Sequence, residues 1–198
     1  QISLDQEVYV TAGNFTEDSS TKIESKQNYP LKTLLEEMID RSSNIATNQL
    51  IDYLGSDYIN RFLENRGYEV TRVNFKLMGE KIMPKNPGSG PNRVTVNELT
   101  EMMVQIYNGE TPGAKFLVET LNGQYDRNIG FAALKGTEVQ WLGEKTGENS
   151  LVLGTTVAMS IDGEAYIITV IDARSGSDIE MRRSIAKIAN YISKNPSF

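Results

Sequence analysis

The 198-residue sequence predicts one α+β domain, in which a helical block is followed by an antiparallel sheet and a C-terminal helix that packs on the sheet. Apolar residues recur at helical spacing between residues 31 and 121. From about residue 138 the chain is rich in Val, Ile, Thr and Tyr, which favour strands. Helices and strands are therefore segregated along the chain, whereas a parallel α/β fold would alternate them.

The helical block follows a loosely alternating extended segment, residues 1–12, and a polar stretch, residues 13–30, that we predict to be a surface loop. A second helix ends at Gly55, a residue type that often terminates helices. Ser56 is the predicted N-cap of a third helix that stops near Gly67. The first helix precedes both of these, and its apolar stripe is formed by Leu31, Leu34, Leu35, Met38 and Ile39.

An irregular stretch rich in Pro and Gly, residues 71–96, separates these helices from the next pair. A loop of this length inside a compact domain is usually functional. A helix that begins at Thr95 or Asn97 and ends at Gly109 follows, and a shorter helix covers residues 114–121.

Three strands are predicted after the helical block, over residues 139–142, 151–161 and 164–172. Asp162-Gly163 separates the last two and is typical of a two-residue β-hairpin turn. A final helix begins at Ser177 or Asp178. Its predicted buried face consists of Met181, Ile185, Ile188, Ala189 and Ile192.

The composition excludes several kinds of chemistry. The chain contains no Cys and no His, so disulfides, thiolate or histidine zinc sites and a Ser-His-Asp triad are all excluded. Any hydrolytic chemistry must use Ser or Thr activated by Lys, Glu or Tyr, and we expect no metal and no other cofactor. The net charge of −6 argues against a nucleic-acid partner, and no apolar run has the length of a membrane span.

Two short motifs carry the functional interpretation: Ser42-Ser43-Asn44 between two predicted helices, and Lys145-Thr146-Gly147 near a predicted strand. Each is weak by itself. Ser42 has the alternative interpretation of an ordinary helix N-cap, and Lys145 that of a solvated strand charge. A further S-x-N match at Ser193-Lys194-Asn195 is a chance occurrence near the end of the last helix.

The surrounding sequence strengthens both motifs. The stretch from Leu34 to Ile51, with Met-Ile before Ser-Ser-Asn and Ala-Thr-Asn after it, closely resembles the class A β-lactamase segment around Ser-Asp-Asn. Ile2 to Val8 resembles the Leu-Asp-Glu-Val segment of that family, and the Lys-Thr-Gly tripeptide, hairpin and final helix match in order. The chain thus resembles the penicillin-recognising serine hydrolases from about residue 2 to its end.

This resemblance implies a role for each motif residue. Ser42 relays a proton to the leaving nitrogen of the substrate, and the Asn44 amide holds a substrate carbonyl. The strand with Lys145, Thr146, Gly147 and Glu148 pairs with the substrate like an added strand, and its lysine and threonine meet the substrate carboxylate. The resemblance also implies that the two motifs face each other across a shared cleft.

The nucleophile is the first departure from the family. The family's S-x-x-K motif should lie well upstream of S-x-N, on a long buried helix. We therefore expect residues 1–198 to be one β-lactamase-like domain without its N-terminal strands and nucleophile helix, with that upstream segment as a partner. Ser19-Ser20-Thr21-Lys22 and Ser184-Ile185-Ala186-Lys187 fit S-x-x-K, but neither position fits a buried nucleophile.

Three further departures concern charge. Glu80 is the only acid in the loop where the family carries its deacylating glutamate, but it lacks the Glu-Leu-Asn context and has the alternative interpretation of a surface residue beside Lys81. Ser43 replaces the aspartate that usually braces the site. Residues 149–161 contain no Arg or Lys, so the additional cation of the family is not evident.

Three functional hypotheses follow. The leading one is an exported bacterial enzyme, extracellular or in the cell envelope, that hydrolyses β-lactams through an acyl-enzyme and confers antibiotic resistance. The second is a penicillin-binding or cell-wall peptidase-like homologue that recognises peptidoglycan peptides and deacylates slowly. The third is a non-catalytic domain on the same scaffold, motivated by the lack of a credible nucleophile in residues 1–198.

Overall fold

The computed structural model describes residues 3–16, 21–77, 91–173 and 177–195. The chain divides into two compact units, Gln1–Thr95 and Val96–Phe198, and each has its own hydrophobic core. The expectation that residues 1–198 form a single domain stays a prediction.

The first unit consists of a small sheet and three helices. Its elements are β1 (Glu7–Tyr9), a 3-10 turn (Ala12–Asn14), β2 (Asn28–Pro30), α1 (Leu31–Asp40), α2 (Asn44–Leu54) and α3 (Ser56–Asn65). β1 and β2 pair antiparallel, with Val8 opposite Tyr29. The core contains Leu31 and Leu34 from the predicted stripe of α1, together with apolar residues from β1 and α2. The apolar spacing thus located α1 and α2 correctly.

The polar stretch 13–30 is not simply a surface loop, and this part of the prediction is wrong. Asn14, Thr16 and Ile23 are buried, and β2 lies inside the stretch. The Asn14 side chain donates hydrogen bonds to Gln49 Oε1 at 2.9 Å and to an Asp52 carboxylate oxygen at 2.8 Å. Its polarity is thereby satisfied in the interior, which a sequence pattern does not reveal.

The predicted N-cap of the third helix is also wrong by one position. Gly55 is the N-cap of α3, with φ 81°, and Ser56 is the first helical residue. Glycine adopts this positive φ without the steric penalty of a side chain, so one residue both ends α2 and starts α3.

The second unit contains four helices and a three-stranded sheet within its described residues. Its elements are α4 (Val96–Tyr107), α5 (Ala114–Asn122), α6 (Gly130–Leu134), β3 (Gln140–Glu148), β4 (Leu153–Ile161), β5 (Glu164–Asp172) and α7 (Asp178–Lys194). The antiparallel strand order is β3-β4-β5. α6 was not predicted, because five residues are too few to establish a helical period.

β3 is longer than the predicted strand and includes the whole Lys-Thr-Gly tripeptide. The prediction stopped at residue 142 because Gly143, Glu144, Lys145 and Gly147 belong to types that are uncommon in strands. The register places Lys145 opposite Thr156, and a bulge interrupts the ladder between Trp141 and Gly143. The motif therefore has the rigid backbone of a paired strand.

The predicted hairpin and final helix are present. Asp162 and Gly163 have φ values of 52° and 87°, as a type I′ turn requires. α7 is capped by the Ser177 side chain, which accepts a hydrogen bond from the Ile179 N–H, and it packs against α6 and β5. Ile188 was wrongly placed on the buried face, since it is 41% exposed.

The observed order of helices, antiparallel sheet and terminal helix is the α+β architecture that the sequence predicts. Among the described residues, no helix combines the length and the apolar character needed to cross a membrane.

Candidate active site

The Ser42-Ser43-Asn44 motif forms the turn between α1 and α2. Ser43 is the N-cap of α2, and its hydroxyl accepts a hydrogen bond from the Ala46 N–H at 3.2 Å. The alternative in which Ser42 is an ordinary N-cap is therefore wrong. Ser42 is exposed and has φ 56°, in the left-handed region that residues other than glycine seldom adopt. Such backbone conformations are concentrated at functional sites.

A hydrogen-bond network braces this turn from below. Ser43 is completely buried, and its hydroxyl lies 2.7 Å from the Thr21 hydroxyl. The buried Glu37 carboxylate accepts from the Lys22 backbone N–H at 3.0 Å and lies 3.7 Å from the Arg41 guanidinium. The Ser43 N–H donates to the Glu37 carbonyl at 3.0 Å. Ser43 thus braces the turn through hydrogen bonds of its hydroxyl and of its backbone N–H group.

Asn44 begins α2 and is half-buried. One turn further along α2, the Asn48 side chain accepts from the Leu77 N–H at 2.6 Å and donates to the Leu77 carbonyl at 2.8 Å. Lys76 donates to Asn14 Oδ1 at 2.8 Å and lies 3.1 Å from the Asp52 carboxylate. These contacts fix residues 76 and 77 of the Pro- and Gly-rich loop.

Glu80 and Lys81 lie outside the described residues, so the role of Glu80 as a deacylating base stays a prediction. The described parts of this loop, residues 71–77 and 91–95, carry no Asp or Glu. They are held by side-chain clamps from Asn60 on Val73 and from Asn92 on Phe75.

The second motif lies at the end of β3. Lys145 and Thr146 are half-buried, whereas Gly147 and Glu148 are exposed. The Lys145 ammonium group donates to the Thr146 carbonyl at 2.6 Å. Burial lowers the pKa of Lys145 to about 8, although the negative charges of Asp126 and Glu144 act in the opposite direction. Lys145 is thus not a fully solvated strand charge, and it is mainly protonated at neutral pH.

Glycine is required two residues before Lys145. A Cβ on Gly143 would lie 2.5 Å from the Tyr107 hydroxyl and 3.0 Å from the Leu121 carbonyl carbon. α4 and α5 therefore approach β3 more closely than any side chain at this position would allow. Burial raises the pKa of Tyr107 to about 12, and its hydroxyl has no hydrogen-bond partner among the described residues.

Arg127, in the connection between α5 and α6, contacts Trp141 of β3. The Arg127 guanidinium lies over the Trp141 ring at 5.1 Å and over the Phe131 ring at 5.2 Å. The two rings meet edge to face with their centroids 5.4 Å apart. This contact joins the α5–α6 connection to Phe131 of α6 and to Trp141 of β3.

The remaining S-x-x-K matches offer no nucleophile among the described residues. Ser19 and Ser20 lie outside the described residues, and Lys22 is exposed. Ser184 and Lys187 are exposed on α7, where the Ser184 hydroxyl donates to the Glu180 carbonyl at 3.0 Å. Throughout the described parts of the chain, no group of three or more Asp or Glu residues is arranged to hold a metal ion.

The structure brings the predicted residues together within each motif. Ser42 and Asn44 share one turn of the first unit, and Lys145 to Glu148 share one strand of the second. The expectation that both motifs face one cleft stays a prediction. Sequence reasoning missed Thr21, Glu37 and Glu144, whose importance depends on burial and on distant partners.

The family model for the β-lactamase enzyme family matches residues 1–195. The fold is similar to PBP-A, at 22% identity and a TM-score of 0.78, covering 98% of this chain and 72% of that one. It is also similar to a β-lactamase from Sphaerobacter thermophilus DSM 20745 (18% identity, TM-score 0.79, 100% and 76% covered). A class A β-lactamase from Mycobacterium abscessus is comparable (16% identity, TM-score 0.78, 96% and 75% covered). No curated protein matches the chain.

Proposed function

The chain belongs to the β-lactamase enzyme family, a family of serine hydrolases, and from this premise we propose that it attacks β-lactams through an acyl-enzyme. The observation that carries this proposal is the end of β3. There Lys145 and Thr146 stand on a strand that, among the described residues, pairs only with β4. An extended ligand pairs with such an edge through main-chain hydrogen bonds.

Lys145 and Thr146 bind the substrate carboxylate in this proposal. A half-buried ammonium group attracts an anion more strongly than a fully solvated one, because less water screens the pair. Thr146 supplies a hydroxyl hydrogen bond, and the small, exposed Gly147 leaves room for the substrate backbone. Glu148 is the last residue of β3 and lies at the same edge of the sheet.

Ser42 and Asn44 act on the other parts of the same substrate molecule. When the serine nucleophile attacks the lactam carbonyl, the carbon–nitrogen bond breaks and the leaving nitrogen needs a proton. The exposed Ser42 hydroxyl delivers this proton, and the Asn44 amide holds the carbonyl of the substrate's side chain. The buried Ser43 hydrogen bonds keep both residues in place.

The first test measures covalent labelling of the native full-length protein by a fluorescent penicillin. The intact mass is expected to rise by the mass of one penicillin, because ring opening releases no leaving group. Ser42→Ala is expected to slow labelling at least tenfold, by analogy with the loss of a general acid. Ser184→Ala is the matched control, since Ser184 is an exposed serine on α7. No mass increase under saturating penicillin would favour a non-catalytic domain.

A penicillin-binding protein with slow deacylation is the second candidate. It is favoured by the sequence around Glu80, the only acid in this loop, which lacks the Glu-Leu-Asn context expected of a deacylating base. A PBP-A mutant solved as an acyl-enzyme complex with penicillin G is similar to this chain, at 20% identity and a TM-score of 0.78, covering 98% of this chain and 74% of that one. That complex supports acylation by penicillin as the chemistry of this fold.

Nitrocefin distinguishes the two candidates. A stoichiometric burst followed by very slow turnover indicates a penicillin-binding protein. Sustained turnover that Glu80→Gln abolishes indicates a β-lactamase with Glu80 as its base.

Both candidates act outside the cytoplasm, because peptidoglycan and the antibiotics that target it are found there. We therefore infer that the native protein is exported by a bacterium. Cell fractionation tests this inference, and a rise in penicillin resistance on expression would support the β-lactamase role.

A further inference from the structure

Glu144 has a completely buried carboxyl group directly before Lys145 in β3. Its Oε1 accepts a long hydrogen bond, 3.4 Å, from the Phe131 N–H of α6. Its Oε2 has no hydrogen-bond partner among the described residues. A buried carboxyl oxygen without a hydrogen-bond partner is uncommon unless the protein uses it.

The Glu144 carboxyl group packs directly against Gly130. A Cβ at Gly130 would overlap Glu144 Oε2 and the Val157 side chain, so the first residue of α6 lies flush against Glu144. The Thr155 hydroxyl, opposite this part of β3, donates a hydrogen bond to the Lys145 carbonyl oxygen at 3.4 Å. Glu144 therefore connects α6 with the part of β3 that carries the substrate-binding lysine.

Few charged groups surround Glu144. β4 and α6 contain no ionisable residue, and the two charged residues of α5, Lys115 and Glu119, are exposed and pair with each other. Arg127 stacks on the Phe131 and Trp141 rings. On α7, Arg182 lies 3.5 Å from Asp178. Among these charges, Asp126 raises the pKa of Glu144, and the Glu144 charge in turn acts on the neighbouring Lys145.

These surroundings favour the neutral acid. Burial raises the pKa of Glu144 to about 7, and the Asp126 carboxylate raises it further. The N–H groups of Phe131 and Gly130 and the Thr155 hydroxyl oppose this shift. An ionised Glu144 would be a buried anion without an ion pair among the described residues, which is less favourable than one unsatisfied neutral oxygen.

We propose that Glu144 is a positioning residue for the Lys145-Thr146-Gly147 strand, and that in its neutral form it holds β3 against α6. When Glu144 loses its proton, its carboxylate carries a negative charge directly beside Gly130 and Phe131. This charge also acts on Lys145. The inference rests on the proposed function only where it assigns substrate binding to β3. Its primary tests need no β-lactam.

The first test is the pH dependence of thermal unfolding of the native full-length protein. The folded-state pKa of about 7 lies above the ordinary value of 4.5. The stability contribution is therefore fully present below pH 4.5 and is lost as pH rises through 7. Glu144→Gln is expected to gain melting temperature relative to wild type between pH 5.5 and 8.5. Glu119→Gln, at an exposed position on α5, is the matched control and should show no such trend.

The second test is an NMR titration of the Lys145 ammonium group. The Glu144 charge raises the pKa of Lys145. Glu144→Gln is therefore expected to shift the Lys145 midpoint downward, whereas a residue that only filled space would leave it unchanged. A constant melting-temperature offset across the pH range, or an unmoved Lys145 midpoint, would overturn the proposal.

The third test measures the rate of labelling by penicillin in Glu144 variants. At pH 6 the neutral isostere Glu144→Gln should be labelled by penicillin at a rate within about twofold of wild type, whereas Glu144→Ala should be at least about tenfold slower. Equal losses in both variants would count against neutral positioning. If the wild-type protein is not labelled at all, the proposed function fails while the two ligand-free measurements still decide the role of Glu144.

Discussion

The hydroxyl groups of Thr21 and Ser43 lie 2.7 Å apart and join the start of α2 to a segment 22 residues earlier in the chain. Ser43 is buried and caps α2, while Ser42 and Asn44 flank it. The position of both proposed site residues therefore depends on one hydrogen-bond network, which also includes the buried Glu37 carboxylate.

Ser43→Ala should lower the free energy of unfolding by ~2 kcal/mol, because it removes a helix cap and leaves the Thr21 hydroxyl without that partner. Urea denaturation measures this change. Ser56→Ala is the matched control, since no side-chain cap was found at the start of α3, and it should change stability by less than about 0.5 kcal/mol. Equal effects of the two substitutions would contradict the bracing role of Ser43.

Gly143→Ala should destabilise the protein by ~2 kcal/mol or more, because the new methyl group would meet the Tyr107 hydroxyl and the backbone of α5. Tyr107→Phe should be neutral or slightly stabilising, since its hydroxyl has no partner among the described residues. Adding Tyr107→Phe should partly rescue Gly143→Ala. Strictly additive unfolding free energies for the pair would argue against this contact.

Asn48→Ala should loosen the first described part of the Pro- and Gly-rich loop, residues 71–77, because it removes both side-chain hydrogen bonds to Leu77. Hydrogen–deuterium exchange at residues 71–77 should accelerate, with a stability loss of ~2 kcal/mol. Asn65→Ala, at the exposed end of α3, is the control and should leave exchange in this segment unchanged. If exchange at residues 71–77 is unchanged in Asn48→Ala, the side-chain hydrogen bonds from Asn60 and Asn92 are sufficient to hold this segment.

Substrate affinity should weaken as pH rises through about 8. The pKa of Lys145 is lowered to about 8 by burial, and only its protonated form attracts the substrate carboxylate. KM for a penicillin, or the concentration for half-maximal labelling, should therefore rise on the alkaline side. Lys145→Arg keeps its charge at these pH values, so its profile should stay flat even if its affinity is lower. An alkaline rise in Lys145→Arg would assign the titration to another group.

Apolar periodicity was sufficient to predict α1, α2 and α7, because apolar side chains at regular spacing form most of their buried faces. The β4–β5 hairpin was predicted from its β-branched residues and from Asp162-Gly163. Neither signal was sufficient for the end of β3. Gly143, Glu144, Lys145 and Gly147 are poor strand formers individually, and only their pairing with β4 makes them a strand.

The two motifs of the candidate site were predictable from the resemblance, but the groups that support them were not. The roles of Thr21, Glu37 and Glu144 arise from burial and from partners at distant positions, which a single sequence does not specify. The burial of Asn14 and Thr16 escaped prediction for the same reason.

The rate of acylation of the native full-length protein by penicillin, compared between wild type, Lys145→Ala and Lys115→Ala, tests the central claim most directly. Lys115 is the matched control because its side chain is 91% exposed on α5. The account predicts a covalent adduct in wild type, an unchanged rate in Lys115→Ala and a rate at least about tenfold lower in Lys145→Ala. Acylation of Lys145→Ala at the wild-type rate, or no adduct in any of the three proteins, would contradict it.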